Sequence, residues 1–227
     1  MNIKTALASL LIFSALTSNA EITMPSFFSD NMVLQQESTV TFRGTAKPNA
    51  KVTINTGWNN KKVDTKSDNQ GNWAADITTP SFGGPFDIVI TDGTSKTLND
   101  VYVGEVWLCS GQSNMEMPMR GFTGQPVENS QEMIAEANNR RNIRLFRQEN
   151  AWSTTCKNDI ANAKWEKATS DAVAQFSAVG YVFADQLEKS LDVPVGIIQC
   201  AWSMSTIQAW MPRETFTTQF PDIELPN

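Results

Sequence analysis

Nine residues, Val101-Tyr102-Val103-Gly104-Glu105-Val106-Trp107-Leu108-Cys109, form a long and nearly unbroken apolar run. Such a run predicts a strand buried on both faces, the kind found inside a parallel sheet. The chain after it supports the same architecture. A helix is expected near 130–138 and a further strand over 143–148. Phe176, Val179, Val182, Phe183, Leu187 and Leu191 then recur at helical spacing, which predicts an amphipathic helix over about 172–191. Pro194 closes that helix, and Val195-Gly196-Ile197-Ile198-Gln199-Cys200 reads as a second buried strand. Strands and helices in alternation are the signature of a parallel α/β sheet.

The chain before Val101 follows a different rule. Thr39-Val40-Thr41-Phe42, Lys51-Val52-Thr53-Ile54 and Phe86-Asp87-Ile88-Val89-Ile90 are short β-type runs, separated by Lys47-Pro48-Asn49, Asn69-Gln70-Gly71-Asn72 and Gly83-Gly84-Pro85. Turn clusters at this spacing, without a helical period between them, predict a small all-β sandwich over 21–100. Trp58 and Trp73 are expected to be packing residues within it. Residues 101–227 would then form the α/β part. Ahead of both, Lys4 and the apolar run from Ala6 to Leu16 end in Thr17-Ser18-Asn19-Ala20, the pattern of a cleavable signal peptide over 1–20. The run is too short to span a bilayer, which takes ~20 apolar residues. The expected location is therefore secreted or periplasmic, with no membrane attachment in the mature form.

Composition narrows the chemistry. There is no histidine among the 227 residues, which removes the usual general base and the commonest metal ligand together. The net charge of −6 becomes −7 once Lys4 leaves with the signal segment. That balance and the lack of a polybasic segment exclude phosphate-backbone binding, so nucleic acid is not an expected partner. Cys109, Cys156 and Cys200 can form at most one bridge. Cys109 and Cys200 lie in apolar runs and are expected to be buried free thiols, whereas Cys156 lies in a polar loop. No zinc site is expected without a C-x-x-C pair or a histidine.

In open parallel sheets, ligands bind beyond the carboxyl ends of the strands. Two segments occupy such ends: Ser110-Gly111-Gln112-Ser113-Asn114-Met115-Glu116 after the Trp107 strand, and Ala201-Trp202-Ser203-Met204-Ser205-Thr206 after the Cys200 strand. A serine at a tight strand-to-helix turn can present its hydroxyl and nearby backbone N–H groups to one point. It can equally be an ordinary helix cap.

The stretch from Val103 to Pro118, VGEVWLCSGQSNMEMP, resembles the signature block of sialate O-acetylesterase-type carbohydrate esterases within the SGNH hydrolases. Phe28 to Gln35, Phe176 to Tyr181 and Ile207 to Trp210 resemble further segments of that family. The resemblance implies an SGNH-hydrolase-like parallel sheet with flanking helices, incomplete here and preceded by the small all-β sandwich. It implies that Ser113 is the nucleophile attacking an acetyl ester on a sugar. The Ser113 backbone N–H would be the first oxyanion donor, with a second from the turn at Ser203-Met204. Gln112, Asn114 and Trp202 would help shape the pocket, although Gln112 and Asn114 serve equally well as braces of the turn. No cofactor is implied, and the expected partner is an acetylated carbohydrate, either sialic acid or a polysaccharide.

Two departures from the family pattern bear on activity. Trp202-Ser203-Met204-Ser205-Thr206 stands where the family has Trp-Gly-Gly-Thr-Pro, which places side chains where backbone should approach the ester. The family's asparagine block and its activating Asp and His also lie beyond Asn227. The expectation is a C-terminally truncated member with little activity of its own, because a serine hydroxyl without a base is a poor nucleophile. Glu116 is near in sequence, but an ordinary carboxylate with a pKa of ~4.3 is a weak base. A non-catalytic carbohydrate-binding protein, with Trp202 and Trp210 as stacking surfaces, and an inert remnant are the alternatives.

Overall fold

The computed structural model describes residues 21–223, apart from 141, 154 and 161. The proposed signal segment, residues 1–20, lies outside the described residues. The strands are β1 (Val33–Gln35), β2 (Thr39–Thr45), β3 (Lys51–Thr56), β4 (Lys62–Lys66), β5 (Asn72–Thr78), β6 (Gly83–Thr91), β7 (Ser95–Gly111), β8 (Ile143–Arg147), β9 (Trp165–Lys167) and β10 (Val195–Ala201). The helices are α1 (Ser113–Glu116), α2 (Ser130–Glu136), α3 (Ser170–Gln175), α4 (Ala178–Leu191) and α5 (Arg213–Gln219).

β2 and β5 pair antiparallel as a small sheet of their own. The strict alternation of buried and exposed residues along β5 turns Trp73, Ala75 and Ile77 inward, as expected of a sheet with one wet face. These residues pack with Phe42, Val52, Ile54, Ile88 and Ile90 in one apolar core. Trp73 is buried there, and Trp58 makes an edge contact with Phe86 at 5.7 Å.

The larger sheet runs β4-β3-β6-β7-β10-β8-β9, with β1 pairing on β7. β7 is long enough to serve both parts of the chain. Its first half pairs antiparallel with β6, and its second half, from Glu105, pairs parallel with β10. Residue 101 therefore lies inside this strand. Where the halves meet, a side chain on Gly104 would run into the carbonyl oxygen of Pro194, so only glycine lets β10 start alongside β7. β10 also pairs parallel with β8, and β9 closes that end in the antiparallel sense. Arg144 on β8 is buried and contacts Asp100 at 3.2 Å, and Lys167 on β9 reaches the same carboxylate at 2.8 Å.

Four expectations change. The helix expected over 172–191 is two helices, because Phe176 and Ser177 leave helical geometry and Ser177 starts α4 as its N-cap. The Ser177 hydroxyl accepts from the Gly180 N–H at 3.0 Å, a capping bond that resets the helix axis. The expected apolar stripe is also divided. Tyr181 and Ala184 are buried against the sheet, while Val179, Val182, Phe183 and Leu191 are exposed. β7 is not buried on both faces over its whole length either: Trp107 and Leu108 are exposed, Leu108 by 65%. Among the described residues, no strand other than β10 pairs with Trp107–Gly111. Cys109 and Cys200 are free thiols but half-buried rather than buried, and burial pushes both up in pKa.

Candidate active site

The carboxyl ends of the three parallel strands β7, β10 and β8 point the same way, and the loops that leave them meet. β7 ends at Gly111, whose φ of +150° is strained for any residue with a side chain. The chain then turns at once into α1, which begins at Ser113. Gln112, Ser113 and Asn114 are all exposed at this turn. The first N–H groups of a helix have no partner within it, so those of Ser113 and Asn114 are free of intrahelical bonds.

Below the turn the chain is anchored. The Met117 carbonyl accepts from Ala178 N–H at 2.9 Å, and Met119 N–H donates to Phe176 O at 2.8 Å. The turn thus rests on the α3–α4 junction. That junction is held to the sheet by Gln199 of β10, only 4% exposed, whose Oε1 accepts from Ser177 N–H at 2.9 Å. A polar residue inside an apolar strand is the sequence signal for this contact.

Glu116 ties the three loops together. Its Oε1 accepts from Asn150 Nδ2 at 2.8 Å, in the loop after β8, and its Oε2 accepts from Ser203 N–H, in the loop after β10. Two further bonds join the first and third loops: Trp202 N–H donates to Gly111 O at 2.9 Å, and Gln112 Nε2 donates to Ser205 O. Partial burial pushes the Glu116 carboxyl up, but the bonds from Ser203 and Asn150 and the charge of Arg147 outweigh it. The net direction is downward from its ordinary value of 4.5. A carboxylate so held is a poorer base than an ordinary one. Glu116 acts on the loops around Ser113.

Most of the sequence-derived residues therefore gather at one end of the sheet, where Gln112 and Ser203 are already hydrogen-bonded across the loops. Ser203 N–H, expected as an oxyanion donor, is spent on Glu116. Met204 is 91% exposed and has a φ of +63°, a backbone conformation that suits glycine and costs other residues about 1–2 kcal/mol. Gln112 braces Ser205, while Asn114 stays exposed beside Ser113. Trp202 lines a cavity of about 610 Å³ that adjoins the loops on the β8 side, together with Trp152 and Trp210. Trp152 was not among the sequence candidates. A larger cavity of about 870 Å³ lies against the all-β part, around Arg43, Lys66 and Asn72, with Asn158 and Asp159 also lining it. Among the described residues no cluster of metal-binding side chains occurs.

Comparison with known proteins agrees with this geometry. The family described as carbohydrate esterase, sialic acid-specific acetylesterase, matches residues 103–222, which contain β10, α1 and all three loops. The sialate O-acetylesterase of Mus musculus is 29% identical over 91% of this chain and 41% of its own length. That of Homo sapiens is 27% identical over 82% of this chain and 38% of its own. A carbohydrate acetylesterase from Xanthomonas citri superposes with a TM-score of 0.80 at 31% identity, covering 88% of this chain and 44% of that one. The chain spans about two fifths of the length of the curated relatives it matches. With more than half of its residues matched by the family, and its site segments inside the match, the chain belongs to the sialic acid-specific acetylesterase family of carbohydrate esterases.

Proposed function

We propose that this chain carries the nucleophile half of a serine esterase that removes O-acetyl groups from carbohydrate. The observation that carries the reading is the exposed Ser113 at the sharp turn between β7 and α1, within the loops that Glu116 holds together. Ser113 Oγ would attack the acetyl carbonyl and pass its proton to a base. The sugar hydroxyl would leave with a proton, and water would then release acetate from the serine. Charge on the tetrahedral oxygen would be met by the free N–H groups of the α1 turn, a donor of this kind contributing about 3 kcal/mol. The exposed Asn114 amide is the nearest further polar group.

The base is the part these residues do not supply. There is no histidine among them, and Glu116 is held on the acidic side of its ordinary range. The reading assigns the base to the portion of the relatives' length that this chain does not span. Residues 21–100 then act as a module that orients the esterase part, beginning at 101. Export through the 1–20 segment fits a carbohydrate substrate outside the cell. No helix among the described residues is long and apolar enough to cross a membrane.

Acetate release from acetylated xylan and from O-acetylated sialic acid tests the reading. The 227-residue chain is expected to match its Ser113→Ala variant, both near background. A longer polypeptide that contains this chain and spans the relatives' full length is expected to release acetate, and Ser113→Ala in it should cost about 10⁴-fold or more in kcat. Full activity of that variant would refute the nucleophile. Ser113-dependent release by the 227 residues alone would refute the external base.

A further inference from the structure

The 610 Å³ cavity beside the loops is within the size range of small-molecule sites. We propose that it is a glycan subsite, that it holds a neutral pyranose chain flanking the acetylated sugar, and that it does not hold sialic acid. The inference deepens the esterase reading and rests on it for the position of the acetyl group.

Three tryptophans line the cavity: Trp152 from the loop after β8, and Trp202 and Trp210 from the segment after β10. Indole rings have broad apolar faces that match the C–H faces of a pyranose, while their edges and neighbours can serve the hydroxyls. One hydroxyl holds the Trp210 ring and the Trp202 backbone. Ser205 Oγ accepts from Trp210 Nε1 at 2.8 Å and donates to the Trp202 carbonyl at 2.7 Å. The Ser205 carbonyl in turn accepts from Gln112, the residue before Ser113. A sugar chain on these rings is therefore linked through Ser205 to the nucleophile turn. Trp152 is 82% exposed, a ring with little packing to lose and a free face to offer.

Charge selects the ligand. Among the described residues, the cavity lining contains no lysine or arginine and a single carboxylate, Glu149. A sialic acid would bring its own carboxylate to a place with no cation, which electrostatics disfavours. Arg147 and Arg120 line the neighbouring cavity of about 370 Å³, but they share it with Glu116 and Glu149, which offset them. Gln148 provides an uncharged hydrogen-bonding group suited to sugar hydroxyls, while the Asn150 amide N–H and the Ser153 hydroxyl, also in the lining, are bonded to Glu116 and Thr155.

Intrinsic tryptophan fluorescence of the full chain, titrated with xylohexaose, with mannohexaose and separately with N-acetylneuraminic acid, tests this. Saturable binding of at least one neutral oligosaccharide is expected, unchanged in Ser113→Ala. Trp152→Ala should weaken it about tenfold, the loss of one stacking contact. Because Trp152 is exposed, that variant should keep the parent's thermal melt, and Trp210→Phe, which loses the bond to Ser205, should weaken binding to a smaller degree. Tighter binding of N-acetylneuraminic acid than of both hexaoses would overturn the charge argument. Absence of saturable binding by both hexaoses, or affinity unmoved by Trp152→Ala, would overturn the subsite. Failure of the longer polypeptide to release acetate, with oligosaccharide binding intact, would instead count against the esterase reading alone.

Discussion

Glu116 accepts from one side chain and one backbone N–H, each belonging to a different loop. Those bonds favour its charged form, so its folded pKa lies below the ordinary 4.5. Such a carboxylate stabilises the fold above its ordinary pKa. The contribution disappears as pH falls through the lower, folded value, where the unfolded chain already binds the proton. Glu116→Gln should therefore melt below the parent at about pH 7, with the gap closing as pH falls below the ordinary carboxylate range. Differential scanning calorimetry across that range is the measurement. A gap of constant size would mean that the charge of Glu116 contributes nothing to holding the loops.

At the scale of elements, the break between α3 and α4 decides where the nucleophile turn can rest. A single helix over this stretch would have no free carbonyl at Phe176 for Met119 and no cap at Ser177. Gln199 holds the break against β10 from inside the apolar core. Gln199→Leu would leave the Ser177 N–H buried without its acceptor, at a cost of about 1–3 kcal/mol. Denaturant unfolding should show this as a lower midpoint with an unchanged m-value. In an active longer polypeptide the same change should reduce kcat, because the turn that presents Ser113 sits on this junction. A midpoint equal to the parent's would show that the side-chain bond is dispensable.

For the whole molecule, the consequential feature is the side of β7 that faces away from β10. Trp107 on that strand and Val179, Val182 and Phe183 on α4 are exposed together, the Trp107 and Phe183 rings touching edge-on at 5.2 Å, and Leu108 is exposed on the opposite face of the strand. Unpaired strand edges beside apolar side chains promote association. The purified chain is expected to self-associate with rising concentration. Leu108→Lys should reduce that association, seen by light scattering, while shifting stability by no more than about 0.5 kcal/mol, since its side chain is largely exposed. Association undiminished in this variant would place the contact elsewhere.

Much of this organisation was legible in the residues. Short β-type runs between turn clusters announced the all-β part, the strand at 195–201 was announced by a mostly apolar run after Pro194, and the strand at 143–147 by the alternation of strands and helices. The serine-bearing turn was legible because a strand end followed by Ser-Gly-Gln-Ser-Asn carries both chemistry and family resemblance. Local sequence determines such features because strand and turn preferences act over a few residues. Other features depended on partners distant in the chain. The helical spacing through Phe176 concealed the break at Ser177, which is made worthwhile by Gln199, 22 residues away. The apolar run at Trp107 looked buried because hydrophobicity records what a side chain prefers and says nothing of whether a neighbour is present to cover it. The role of Glu116 was set by Asn150 and Ser203, brought together only when three parallel strands end side by side. The sequence by itself determined which residues could do chemistry. Tertiary structure decided which of them are free to do it, because a donor or acceptor already paired across the fold is no longer available to a substrate.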